Sequence, residues 1–155
     1  MPSRRPPAGQ PVLVSGCLVG IPCRYDGRDC RDPNLLKHLA KRPILSLCPE
    51  QLGGLPTPRP PVRIVGGSGT DVLAGRARVL DSEGRDVTAK FLRGAELTWK
   101  ITKLLGIKEA FLKAGSPSCG SGKQEKTMTH SALEGVTATL LRREGVRIIA
   151  RRGGR

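Results

Sequence analysis

Apolar residues fall along this chain in two rhythms. Short dense runs at residues 11–15, 44–47, 107–113 and 146–150 predict buried strands, the first by its β-branched content and short length. Spacings of three and four predict helices instead. Phe91, Leu92, Ala95, Trp99, Ile101, Leu104 and Leu105 mark one apolar face over residues 89–105, with N-cap candidates at Asp86-Val87-Thr88 and a stop at Gly106. Asp32-Pro33 opens a shorter helix carrying Leu35, Leu36 and Leu39, and another helix spans residues 135–144. Strand and helix thus alternate with short connections. That order predicts a single α/β domain, Rossmann-like, with a mostly parallel sheet and helices on both faces. Residues 62–65 and 77–80, with a turn at Asp81-Ser82-Glu83-Gly84, predict a small antiparallel addition at one edge. Between the second strand and that addition, Gly53-Gly54-Leu55-Pro56-Thr57-Pro58-Arg59-Pro60-Pro61 excludes helix and central strand. It must cross the surface extended.

Composition narrows the class. A chain of 155 residues with 37% apolar content supports one core, so residues 1–155 read as one domain with tails at about 1–10 and 151–155. No run approaches the ~18 to 20 apolar residues of a membrane span, and Met1-Pro2-Ser3-Arg4-Arg5-Pro6-Pro7 leads into no apolar signal region, so a cytoplasmic location without a membrane partner is expected. The net charge of +14 favours anionic partners. Its distribution works against a dedicated nucleic-acid face. Arg4, Arg5, Arg151, Arg152 and Arg155 lie in Gly- and Pro-rich ends, no dense basic block occurs elsewhere, and one Trp, one Tyr and two Phe are too few for a base-stacking platform.

Five cysteines in a reducing compartment point to packing, metal binding or catalysis rather than to disulfides. Cys17, Cys48 and Cys119 each sit just past a predicted strand, 31 and 71 residues apart. If those strands are parallel neighbours, the three thiols emerge on the sheet edge where open α/β folds bind ligands. Burial as small hydrophobes is the bland alternative. Their surroundings argue for a site: Glu50 follows Cys48 by two residues, and Ser116, Ser118 and Ser121 with Gly115, Gly120 and Gly122 surround Cys119. Structural zinc favours close pairs such as Cys-x-x-Cys, which the sequence lacks. An iron–sulfur cluster normally takes four cysteines, so three would leave one iron open to a substrate.

Several ordered motifs carry a family resemblance: Gly16-Cys17-Leu18-Val19-Gly20, Cys23-Arg24-Tyr25-Asp26-Gly27, the run from Leu47-Cys48-Pro49-Glu50 through Arg59-Pro60-Pro61, Gly84-Arg85-Asp86-Val87-Thr88, and Ser116-Pro117-Ser118-Cys119-Gly120. Together they resemble a family, long catalogued as a domain of unknown function, that includes the thiouracil desulfidases. The resemblance spans about residues 12–150. It implies a [4Fe-4S] cluster held by Cys17, Cys48 and Cys119, with an open iron for the sulfur of a thiolated substrate, and a non-redox hydrolysis that releases sulfide. Glu50 would then handle the proton of the attacking water, and Ser116 or Ser118 would orient substrate or share the proton transfer. Cys23 could be a fourth ligand, a sulfur acceptor or a structural thiol, whereas Cys30 matches nothing in the pattern. Arg24, Asp26 and Arg59 are read equally as loop locks or substrate contacts. The segment Lys123–Ser131, with His130, departs from the family pattern and is where substrate choice is expected to be written. Two rivals stay open on the residues alone: an RNA-binding module with packed cysteines, and a metal-free carrier of persulfide sulfur.

Overall fold

The computed structural model describes residues 9–120 and 134–154. Its centre is β1, Val12–Ser15, in which every residue is buried. β1 pairs in parallel with β2, Ile44–Leu47, on one side and with β5, Glu109–Lys113, on the other, and β5 pairs in parallel with β6, Arg147–Arg151. The sheet therefore runs β2-β1-β5-β6. Alternation along β1 divides the core as the pleat requires. Val12 and Val14 face a cluster with Leu35, Leu39, Cys17, Cys23, Cys30 and Phe111, under α1, Pro33–His38. Leu13 faces the opposite cluster with Ala110, Leu112 and Cys119, covered by Ala138 and Leu141 of α5, Val136–Arg143, and by Trp99 of α4, Thr88–Leu104. Each fully buried Leu or Val contributes about 1.5 to 3 kcal/mol, so these two layers hold the strand ends in place.

The predicted antiparallel pair is present as β3, Val62–Val65, and β4, Arg78–Asp81. It forms a two-stranded sheet of its own. Its inner residue Val79 packs with Phe91 and Ala95 of α4 and with Val136 of α5, so helices rather than a sheet edge receive it.

Two short helices lie where no helix was expected. Pro49, two residues past β2, opens α2, Pro49–Leu52, because its fixed φ suits a first helical position. α3, Gly69–Leu73, starts where the Asp71 carboxylate accepts the Ser68 N–H at 2.9 Å. The predicted C-terminal tail is packed as far as it is described. Arg151 pairs with Asp32 at 2.8 Å, and the Gly154 N–H reaches the Cys30 and Arg31 carbonyls, each at 3.1 Å.

Candidate active site

All four main strands point the same way, so the loops after β1, β2 and β5 emerge on one edge of the sheet. A short 3-10 turn, Gly16–Val19, follows β1 and carries Cys17. Cys48 follows β2 and precedes α2. Cys119 lies in the loop after β5, which leaves the strand through Gly115 in the left-handed region (φ +73°). Between these loops opens a cleft of about 300 Å³. The thiols of Cys17, Cys48 and Cys119 all line it, together with Cys23, Arg24, Tyr25, Glu50, Arg59, Lys113 and Ser116. The convergence expected from three separated sequence positions is therefore present.

The loop that presents Cys119 is held by its serines. The Ser116 hydroxyl accepts the N–H groups of Ser118 and Cys119, both at 3.1 Å, while remaining on the cleft wall. Ser118 is buried and off the wall. Its hydroxyl bonds that of Thr137 at 3.0 Å, and its carbonyl accepts the Thr137 and Ala138 N–H groups at the start of α5. Close seating there depends on Gly135, where a Cβ would fall 2.4 Å from the Ser118 carbonyl oxygen. Of the two candidate serines, geometry puts Ser116 at the cleft and Ser118 beneath it.

Glu50 stands on α2 with its carboxylate largely buried. Burial raises its pKa, and the Arg59 guanidinium, with Nε 3.2 Å from Oε1, pulls it back in part. Arg59 is itself 8% exposed and is a lock as well as a cleft residue. Its guanidinium donates to the Pro56 carbonyl at 3.2 Å, the Thr57 hydroxyl at 3.0 Å and the Cys23 carbonyl at 3.0 Å, and its N–H donates to the Tyr25 carbonyl at 2.9 Å. The extended proline-rich crossing and the Cys23–Asp26 loop are thereby fastened to the carboxylate. Arg24 lines the cleft over Tyr25, 6.0 Å from the ring centroid. Asp26 is exposed and off the wall, where it accepts the Arg28 N–H at 3.0 Å and pairs with Arg24 at 3.9 Å. Cys30 is buried in the core cluster. His130 and the segment around it lie outside the described residues. Tyr25 and Lys113 are wall residues that had no predicted role. Tyr25 lay within a quoted motif, and Lys113 ends the β5 run at the same edge as Cys119, which was its only signal.

The donor set suits a soft metal centre. Contact with Cys17, reinforced by burial, raises the Cys23 thiol to about 11; contact with Cys23 and burial hold Cys48 far above the thiol range; burial lifts Cys119 to about 12, against hydrogen bonds from Ser15 and Ser118. Thiols so placed keep their protons until a cation replaces them. Among the described residues no three His, Cys, Asp or Glu groups converge on a point fit for one metal ion. A cubane asks for something different, because it takes each thiolate at a separate iron, and soft sulfur ligands are those an iron–sulfur cluster requires. Cys17, Cys48 and Cys119, carried by three loops around one open cleft, fit that group.

A parallel α/β sheet that offers three thiols and a buried carboxylate at its ligand-binding edge defines the class, an enzyme scaffold for thiolate-bound metal chemistry. The comparison with known proteins makes it particular: the family model for 2-thiouracil desulfurase matches residues 12–152, and the chain belongs to that family. Uncharacterized protein YbbK of Bacillus subtilis (strain 168) is 41% identical over 145 residues, which cover 90% of this chain and 94% of that protein. The solved structure of TudS, a [4Fe-4S]-dependent thiouracil desulfidase, matches with a TM-score of 0.71 at 41% identity, covering 91% of this chain and 90% of that one.

Proposed function

We propose that this chain is a [4Fe-4S]-dependent desulfidase that exchanges the thiocarbonyl sulfur of a nucleobase-like compound, such as 2-thiouracil, for oxygen from water. The observation that carries the reading is the meeting of Cys17, Cys48 and Cys119 in one cleft beside Glu50, in a chain of this family. When bound, the cluster supplies a Lewis acid at an iron that bears no protein ligand.

The chain's own residues account for the rest. Cys17, Cys48 and Cys119 hold the group. Glu50 takes a proton from water as the oxygen attacks the thiocarbonyl carbon, and returns it as sulfide leaves. The substrate's C=S bond breaks, a C=O bond forms, and no electrons are exchanged. Arg59 holds Oε1 of Glu50 and so directs the carboxylate. Ser116 meets the substrate from the cleft wall, and Ser118 seats that wall on α5. Five free cysteines suit a reducing compartment, and a cytoplasmic hydrolase is part of this proposal. Among the described residues no helix is long and apolar enough to cross a membrane.

Anaerobic purification and reconstitution test the reading. About four irons per chain and conversion of 2-thiouracil to uracil with equimolar sulfide are expected. A colourless protein that never takes up a cluster, or a loaded one that releases no sulfide from any thiopyrimidine, would falsify it. Salt-sensitive RNA binding that survives replacement of all three cysteines would favour the binding-module alternative instead.

A further inference from the structure

The cleft wall carries one aromatic residue, and the proposed reaction does not use it. Tyr25 sits in a turn closed by the Gly27 N–H on the Arg24 carbonyl at 2.9 Å and by the Arg24 N–H on the Arg28 carbonyl at 3.1 Å, with Gly27 in the left-handed region (φ +76°). Its own carbonyl accepts the Arg59 N–H at 2.9 Å. The backbone is therefore fixed. Yet Tyr25 is 44% exposed where it lines the cleft, with the Arg24 guanidinium carbon 6.0 Å from its ring centroid. The other Phe and Trp residues pack instead: Phe91 and Phe111 are buried, and Trp99 lies against the cluster around Leu13.

Such a ring could pack, hydrogen-bond or stack. Its exposure argues against packing, because a ring serving the core loses its contact with water. Among the described residues no group bonds its hydroxyl, so the phenol is not a lock for the loop. What remains available is the flat face. We propose that Tyr25 is a specificity-determining residue that stacks the planar ring of the substrate, an inference that rests on the desulfidase reading above and narrows its substrates to flat, aromatic thiocarbonyl heterocycles. A tyrosine offers a large rigid surface at low cost in conformational entropy, since only two side-chain angles must be fixed. A nucleic-acid strand needs several stacking faces, but one free heterocycle needs only one. The position relative to the chemistry is fixed as well. Arg59, whose N–H holds the Tyr25 carbonyl, gives its Nε to Oε1 of Glu50 at 3.2 Å, so one residue registers the ring-bearing turn against the carboxylate. Arg24 beside the ring favours a defined ring orientation.

The test is anaerobic calorimetry on the reconstituted full-length protein, titrated with uracil and with 5,6-dihydrouracil. Dihydrouracil keeps the same hydrogen-bonding edge but has a puckered ring without the aromatic face. Wild type is expected to bind uracil about 10-fold more tightly, within the range that loss of a stacked aromatic removes. Tyr25→Phe should keep that preference. Tyr25→Ala and Tyr25→Leu should lose it and raise KM for 2-thiouracil about 10-fold, with iron per chain unchanged. Equal binding of the two compounds by wild type, or a preference that survives in Tyr25→Ala, overturns the proposal. A Tyr25→Phe variant as weak as Tyr25→Ala overturns it in favour of a hydroxyl contact, and loss of iron from Tyr25→Ala and Tyr25→Leu overturns it in favour of a structural role for the turn. Binding does not depend on turnover. A loaded wild type that shows the Tyr25-dependent preference and releases no sulfide overturns the proposed reaction and leaves the stacking role standing, whereas one that desulfurates 2-thiouracil without preferring uracil overturns the stacking role alone.

Discussion

In the proposed reaction Glu50 combines two demands that conflict in an ordinary carboxylate: it must be buried enough to act in a desolvated cleft and charged enough to accept a proton. Burial raises its pKa, and Arg59 at 3.2 Å limits the rise. Because the base form is the carboxylate, kcat/KM should fall as pH drops through that raised value, at a higher pH than an exposed glutamate would give. Glu50→Gln is expected to keep the cluster's visible spectrum while lowering kcat by about 10² to 10⁴ and flattening the acid limb. A variant with wild-type turnover would remove Glu50 from the proton path. Glu50 was legible as a cleft residue because it lies two positions beyond Cys48, which follows a strand. Ser118 was not legible in the same way. Sequence gives a hydroxyl beside Cys119, but the direction of that hydroxyl is set by Thr137, 19 residues later on α5.

Among the elements, α2 carries the most of the proposed site on the least structure, with Glu50 on it and Cys48 at its start. A helix of four residues cannot be stable alone, and it shows no periodicity to read, so it escaped the pattern that revealed α4. Packing holds it. Gly53 and Gly94 bring α2 and α4 into backbone contact: a Cβ on Gly94 would fall 2.0 Å from the Pro49 carbonyl oxygen, and one on Gly53 would fall 2.0 Å from that of Lys90. Both obstacles are backbone, so relief must come from moving α2. Gly94→Ala is therefore expected to lower stability by about 1 to 3 kcal/mol in urea titrations and, by displacing Cys48 and Glu50, to reduce iron bound per chain. Wild-type iron content at reduced stability would show that the site tolerates the shift. The junction of α1 with β6 offers a second measurement. Asp32 caps α1 through the Leu35 N–H at 3.0 Å and pairs with Arg151. Burial alone would raise its pKa, yet the Leu35 and Arg151 hydrogen bonds lower it overall. A depressed carboxylate pKa contributes stability above the unfolded value and loses it as pH falls through the folded one. Asp32→Ala should cost about 2 kcal/mol at pH 7, and the gap from wild type should close in more acidic buffer.

At the scale of the molecule, the alternation of strand and helix was enough to predict a parallel sheet, and the sheet alone brings positions 17, 48 and 119 together. What the alternation could not show was where β3 and β4 go. Their apolar face, Val79 above all, is met by α4 and α5 rather than by a strand, and residue spacing within a strand does not reveal its partner. The same layout sets the site at one end of the fold's support. Two apolar clusters flank β1 along its length, and members of each, Cys17 and Cys23 of one and Cys119 of the other, reach the cleft where the strands end. The proposed cluster is thus not needed to nucleate the core, unlike small metal-folded domains in which binding and folding are one event. Held as proposed, it would join three loops distant in sequence, and a ligand that binds only the folded state stabilises by mass action. The chain stripped of iron by an anaerobic chelator should keep the far-ultraviolet circular dichroism of the loaded protein, unfold in one cooperative transition, and melt at a lower temperature. An apoprotein without that spectrum would mean that the strand ends, and not the two cores, hold the sheet together.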